Sequence, residues 1–251
     1  LIRKVHRFDL TQLISPVAVT SSPPLQPFGL ACVPRGLNAP PLLVFSEEKR
    51  RRLVIVALDE SLVRGHVLSR ISESFSVGLQ NPASIAVCGS QLYLADVTRV
   101  LTGALPGLSS GNEAAAASSP RLSVLRSGFK EVHAVAVRSG DAGHVVAIAD
   151  ARDHRITILQ LDRVAAVTAV LGVWGSGLRG ACYGPVSCLV LNEPVGLAFD
   201  GAVLLVACYG GEKHGALVSI TPTRFACRVL THLHACFAAC GFVPPNATAE
   251  A

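Results

Sequence analysis

Four stretches of the chain repeat one plan. They begin at Gln26 (QPFGLACV), Asn81 (NPASIAVC), Glu131 (EVHAVAVR) and Glu193 (EPVGLAFD). Each opens with an apolar run of small residues and crosses a Gly-bearing turn. Each then enters a second run (LLVFS, LYLAD, VVAIAD, LLVACY), breaks on polar residues and leaves on a third run. The runs are short, rich in β-branched residues and bounded by turn formers, so they read as strands. Pro27, Pro82 and Pro194 mark three of the four starts, 55 and then 112 residues apart. The longer interval holds two units, so the period is ~50 residues.

Between units a further edge-type strand fits in GHVLSRI after Gly65, AAVTAVLGV after Ala165 and RFACRVL after Arg224. Four antiparallel strands repeated at this interval predict an all-β fold, a β-propeller of four-stranded antiparallel blades. Each blade is covered on both faces, which accounts for strands that are almost continuously Val, Leu, Ile and Ala. It also accounts for a chain that is 50% hydrophobic. One propeller over 1–251 is expected, interrupted by LTGALPGLSSGNEAAAASSP, whose Gly, Ser and Ala content reads as a flexible insert over 102–120. Four complete blades are recognisable. KVHRFDL and LISPVAV resemble the last strands of a preceding blade and HACFAACGF the first strand of a following one, so the ring is expected to hold five or six.

P-x-G-L-A, then a strand ending in A-D, then D-H-R-I resembles the NHL repeat, and VAIADARDHRITIL (Val146–Leu159) carries the resemblance best. It covers most of residues 26–222. The resemblance implies a propeller whose loop face binds partners, in a family that includes protein-binding scaffolds, RNA readers and a few lyases. LYLADVTRVL lacks the Arg-Ile start of the third strand, and the fourth repeat has CYGGEKHGAL where the family has its acidic turn.

In a propeller the hairpins between second and third strands share a face with the loops between blades, where binding is usual. Lys49, Arg50, Arg51, Arg52, Arg99, Arg152, His154, Arg155, Tyr209, Lys213 and His214 are therefore the candidate binding rim. Glu47, Glu48, Asp96, Asp150, Asp153 and Glu212 occupy the same turns, so a mixed, solvated surface with weak ion pairs is the competing expectation. A net charge of +5 inclines only mildly towards anionic partners. A protein partner is the leading expectation. RNA is the alternative, although readers of single strands need exposed aromatics and Tyr183 and Tyr209 are the only ones placed near the rim.

No catalytic constellation stands out, so a non-enzymatic binding or scaffolding module, part of a larger assembly, is expected, with no cofactor and no metal. A channel-centred metal-dependent lyase or hydrolase is the second alternative. His133 and His234 occupy comparable places in their units, but two histidines are too few for a zinc centre with three protein ligands. GVWGSGLRGACYG has neither a P-loop Lys nor a following helix and reads as a linker between blades. Cys32, Cys88, Cys208 and Cys227 fall in strand-like runs and are expected to be buried thiols. Cys182 with Cys188, and Cys236 with Cys240, are possible disulfides. The longest apolar runs, LVIVAL and AVLLVAC, fall short of the ~20 residues of a membrane-spanning helix. The chain has no Met, even at position 1, and is expected to be processed or part of something longer. The compartment is left open, with an intracellular one favoured, and Asn246 matters as a glycosylation sequon only if the chain is secreted.

Overall fold

Alternating side chains on short β-branched strands leave two apolar faces per sheet, and such sheets must stack. The computed structural model, which describes residues 27–33, 41–57, 71–75, 78–105, 122–178, 189–209, 215–221 and 226–232, shows how. It holds fourteen strands and, among the described residues, no helix. They are β1 (Pro27–Val33), β2 (Leu42–Glu47), β3 (Arg52–Ala57), β4 (Ile71–Phe75), β5 (Pro82–Cys88), β6 (Gln91–Ala104) and β7 (Ser123–Gly140). They continue as β8 (Gly143–Asp150), β9 (Arg155–Leu161), β10 (Val167–Trp174), β11 (Pro194–Asp200), β12 (Val203–Cys208), β13 (Ala216–Thr221) and β14 (Ala226–His232). Every pairing is antiparallel. The strands form sheets of four (β1–β4), six (β5–β10) and four (β11–β14), and these do not close into a ring among the described residues.

The central sheet is not one flat layer. In β6 the Leu105 N–H donates to the Ser90 carbonyl at 2.8 Å. The Thr102 hydroxyl likewise donates to the Leu92 carbonyl at 3.0 Å. On a straight strand these pairs would be ~50 Å and ~33 Å apart, so β6 folds back on itself at Val97, whose φ is +52°. β7 changes partner along its length: Ser123–Ser127 pairs with the second half of β6, and Val132–Gly140 pairs with β8, with Gly128 at φ +91° between them.

Packing follows this division. Val33, Leu42, Val44, Leu53 and Ile55 of β1–β3 meet Ile85, Leu92, Leu94 and Leu101. Tyr93, Ala95 and Val100 face the other way, onto Val135, Val146, Ile148, Leu159 and Leu161. Val145, Ala147, Ile156 and Ile158 in turn face Leu204, Val206, Val218 and Ile220. Three apolar cores thus separate four layers: β1–β4, then β5 to the start of β7, then the rest of β7 to β10, then β11–β14. This is why VVAIAD is buried at nearly every position: successive residues enter different cores.

The first strands lie side by side, β1 against β5, β5 against β7 and β7 against β11. Small residues let them approach. The Ser46 hydroxyl accepts from the Gly29 N–H at 2.8 Å and donates to the Ala83 carbonyl at 2.6 Å, bridging the first two layers.

Some expectations move. The strand expected at GHVLSRI is β4 at Ile71–Phe75; what precedes Ile71 lies outside the described residues. The insert expected from 102 starts later, since Thr102–Ala104 finish β6 by pairing back to its first half, and 106–121 lie outside the described residues. Cys208 is buried as expected, but Cys32 is exposed and Cys88 intermediate, because Cys32 points away from the core that Ala31 and Val33 enter.

A Cβ at Gly29 would lie 2.1 Å from the Ala83 backbone oxygen. Gly29→Ala is therefore expected to force the first two layers apart at a cost of about 1–3 kcal/mol, read as a lower urea midpoint with an unchanged β-rich circular dichroism spectrum.

Candidate functional site

The hairpins that carry the candidate residues are built alike. Glu47 pairs with Arg52 across Glu48–Arg51, and Asp150 pairs with Arg155 across Ala151–His154. Each four-residue turn ends in a left-handed residue, Arg51 or His154, both at φ +50°. Each closes with a backbone bond from that residue to the first of the turn, at 3.0 Å and 3.2 Å. β6 is a tighter version, with Asp96 and Arg99 flanking Val97 and Thr98.

The acids of these hairpins are not solvated. Glu47 is 2% exposed, Asp96 0% and Asp150 5%. Asp96 Oδ1 accepts the Gln80 and Asn81 N–H groups at 2.9 and 2.7 Å. Asp150 accepts those of Lys130 and Glu131 at 2.7 and 2.9 Å, and that of Asp153 at 3.2 Å. In both layers the pair of N–H groups belongs to the residues that lead into the first strand. A carboxylate at the end of the second strand therefore clamps the chain arriving from the previous layer.

The arginines complete the clamp. Arg99 bonds Asp96 Oδ2 through Nε at 2.9 Å and Nη2 at 2.8 Å, and donates to the Gly78 carbonyl. Arg52 donates to Glu47 Oε2, with Arg50 Nη1 3.9 Å from the same oxygen. In the third layer the roles shift by one acid. Arg155 Nη1 bonds Asp153 Oδ2 at 3.0 Å, and its Nη2 reaches the Ser176 carbonyl at 3.4 Å. A Cβ on Gly177 would come within 2.7 Å of that guanidinium and one on Gly175 within 2.3 Å of the His154 carbonyl. The glycines of VWGSG thus let the connection between layers lie directly on the hairpin. Arg50, Arg52, Arg99 and Arg155, named among the rim candidates, each meet an acid of their own hairpin.

Three cationic candidates stand outward. Lys49 and Arg51 are exposed at the tip of the first hairpin, and Arg152 keeps 75% of its side chain in solvent while its Nε meets Glu131 Oε2 at 2.5 Å. Lys130, which the sequence reading left out, is 64% exposed and bonds Asp153. Its hydrogen bond holds the Asp153 carboxyl below the usual carboxylate range, aided by the charge of Arg155. The pairing of Lys130 with Asp153, twenty-three residues on, leaves no local sequence signal. His154 Nδ1 accepts the Glu193 N–H at 3.1 Å, and the Glu193 carbonyl accepts the Tyr209 N–H at 2.9 Å. Tyr209 itself is exposed. One continuous edge therefore runs from His133 and Glu131 (3.0 Å apart) through Arg152 and His154 to Tyr209. Lys213, His214, Tyr183, His234 and the cysteine pairs 182/188 and 236/240 lie outside the described residues.

No protein-family profile matches the chain, and no curated protein matches it. Among solved structures it is similar to hydrazine synthase of Kuenenia stuttgartiensis, with a TM-score of 0.50 and 15% identity over 87% of this chain and 51% of that one. A nidogen/laminin complex aligns with a TM-score of 0.49 and 12% identity, over 76% of this chain and 58% of that one. The chain thus spans between half and three fifths of these neighbours. The hydrazine synthase likeness places the fold among β-propellers. No helix of the described residues is long and apolar enough to cross a membrane.

Substitutions at neighbouring charges should separate sharply. Asp96→Ala strands two N–H groups and the Arg99 guanidinium, and about 3 kcal/mol of loss is expected in urea unfolding, against no more than about 0.5 kcal/mol for Arg51→Ser. Asp153 is harder to protonate folded than unfolded, so its contribution is present above about pH 4 and is lost as pH falls through its folded value. Lys130→Ala should flatten the acid limb of stability against pH.

Proposed function

We propose that the chain is a non-enzymatic binding and scaffolding module, an NHL-like propeller of four-stranded blades that docks a protein partner through its loop rim as one part of a larger assembly. The observation that carries this reading is the sorting of charge along the rim. The hairpin sequences mix acids and bases almost evenly, but Asp96 and Asp150 turn inward onto backbone N–H groups and Glu47 onto Arg52, while Lys49, Arg51, Lys130 and Arg152 project. A partner approaching the rim meets cations first, which favours an acidic protein surface and speeds encounter. The division into four packed layers supports the blade assignment. The acid–turn–arginine hairpins support the NHL resemblance, since they give its A-D and D-H-R residues a shared mechanical role.

His133 is the only one of the two channel histidines that the structure describes, and it is engaged by Glu131. Exposed Tyr209 keeps RNA as the reading to be tested against a protein partner.

The double variant Lys49→Ser/Arg51→Ser tests the proposal, because neither side chain holds the hairpin. Its thermal midpoint should stay within a degree or two of the parent. Association with an immobilised poly-glutamate peptide should be salt-dependent and slow several-fold in the variant. Tighter binding to oligouridine, with a log–log salt slope that falls by about two in the variant, would replace the protein partner with RNA. Identical binding by parent and variant would remove the rim from consideration.

A further inference from the structure

Six of the eleven large apolar side chains that stand exposed among the described residues fall in one short stretch: Val164, Val167, Val170, Leu171, Val173 and Leu178, from 40% to 79% exposed. Four of them lie on β10, the outer strand of the third layer, which pairs with β9 alone among the described residues. Val167, Val170 and Val173 stand opposite Leu161, Leu159 and Thr157, so three of the four share one face of the sheet, and Leu171 is the extra residue of a bulge beside them. Exposed edges are ordinarily blunted by charge or proline, but VTAVLGVW contains neither. Two register shifts against β9 are its only irregularity of that kind.

The edge is also firmly built. Asp162 Oδ1 accepts the Val164 and Ala166 N–H groups at 3.0 and 2.8 Å, and the turn closes through Asp162 N–H to the Ala166 carbonyl at 3.0 Å. Ala165 takes φ +64° in that turn. At the far end Trp174 is buried in the core shared with the fourth layer. The strand is pinned at both ends with its outer backbone groups and its apolar side chains turned to solvent.

We infer that β10 is a second docking surface, separate from the rim, that takes an extended, uncharged, β-branched-rich segment of a partner protein as an added antiparallel strand. Backbone bonding along the edge supplies affinity and the flanking Val and Leu side chains select apolar residues on alternate positions. Charge sets the class of segment: no residue of β10 can pair with a charge placed opposite, so a charged segment would be desolvated without return. Size excludes a second folded copy. Eight residues make an edge ~27 Å long and ~10 Å deep, roughly 270 Å², against about 800 Å² per partner in a stable interface. The chains also each carry a net charge of +5.

The probe is a capped, fluorescein-labelled peptide of four Thr-Val repeats behind two lysines, with a control N-methylated at alternate residues so that it cannot donate along one edge. Anisotropy should show saturable binding that the N-methylated peptide loses by tenfold or more, with slowed amide exchange across 167–174. Val170→Lys/Val173→Lys should weaken binding at least tenfold without lowering the thermal midpoint, and Lys49→Ser/Arg51→Ser should leave it unchanged. Equal binding of the two peptides, or none at millimolar peptide, overturns the inference. So does sedimentation that shows a dimer dissolved by the two lysines, since that gives the strand to a second copy. If the lysine variant unfolds, the two peptides compared on the parent protein still decide.

Discussion

Each layer of this protein has to receive a chain arriving from its neighbour, and the two N–H groups just ahead of the first strand have no ladder partner. Asp96 and Asp150 solve that problem in the same way, from the last residue of the second strand, inside a nearly dry edge of the sheet. A buried carboxylate needs compensation: both receive backbone donors, and Asp96 also an arginine across its turn, whereas Arg155 turns to Asp153. The first layer keeps the acid as Glu47 but adds Ser46, which bridges to Ala83 of the next layer. In the fourth layer Cys208 takes the acid's place opposite Pro194, and the junction is instead held by His154 from the neighbouring hairpin. The repeat is thus a repeated solution to backbone satisfaction, and substitutions within it are tolerated where another polar group reaches the same joint.

That mechanical role changes how the rim is understood. A run such as EEKRRR would pass for one solvated cluster, yet the hairpin register sends Glu47 inward, draws Arg50 and Arg52 after it and leaves Lys49 and Arg51 outside. Residues held by the hairpin and residues left outward therefore alternate within six positions. Loss of binding on removing Arg52 would report a loosened hairpin, whereas loss on removing Arg51 would report the surface itself.

The repeat was legible in the sequence because alternation and small first-strand residues survive in all four units. What was not legible has physical causes. The outer strand of the second layer, Ser123–Ser127, is separated from its partner in β6 by a long connection, so no local hairpin signal announces it. Composition cannot say which charge of a hairpin turns inward, since that depends on where the chain from the previous layer crosses. Cys32 lies in an apolar run as a buried thiol would, but on a strand at the inner edge the face opposite the core is open.

Polar bridges between layers serve a different purpose from the cores they cross. Between the second and third layers, Ser84 Oγ lies 3.3 Å from the Val135 N–H and 3.4 Å from its carbonyl, and Cys88 Sγ lies 3.1 Å from Ser139 Oγ. Tyr93 Oη lies 2.6 Å from His144 Nδ1, and burial raises its phenol well above the usual range. Valine and isoleucine packed face to face would tolerate sliding by a residue pair along the strands, because the apolar pattern repeats at that step. The serine, cysteine and tyrosine contacts do not repeat at that step. A slip would part the Tyr93 hydroxyl, on a fully buried side chain, from His144, so that bond in particular opposes sliding of the layers and displacement of the rim hairpins.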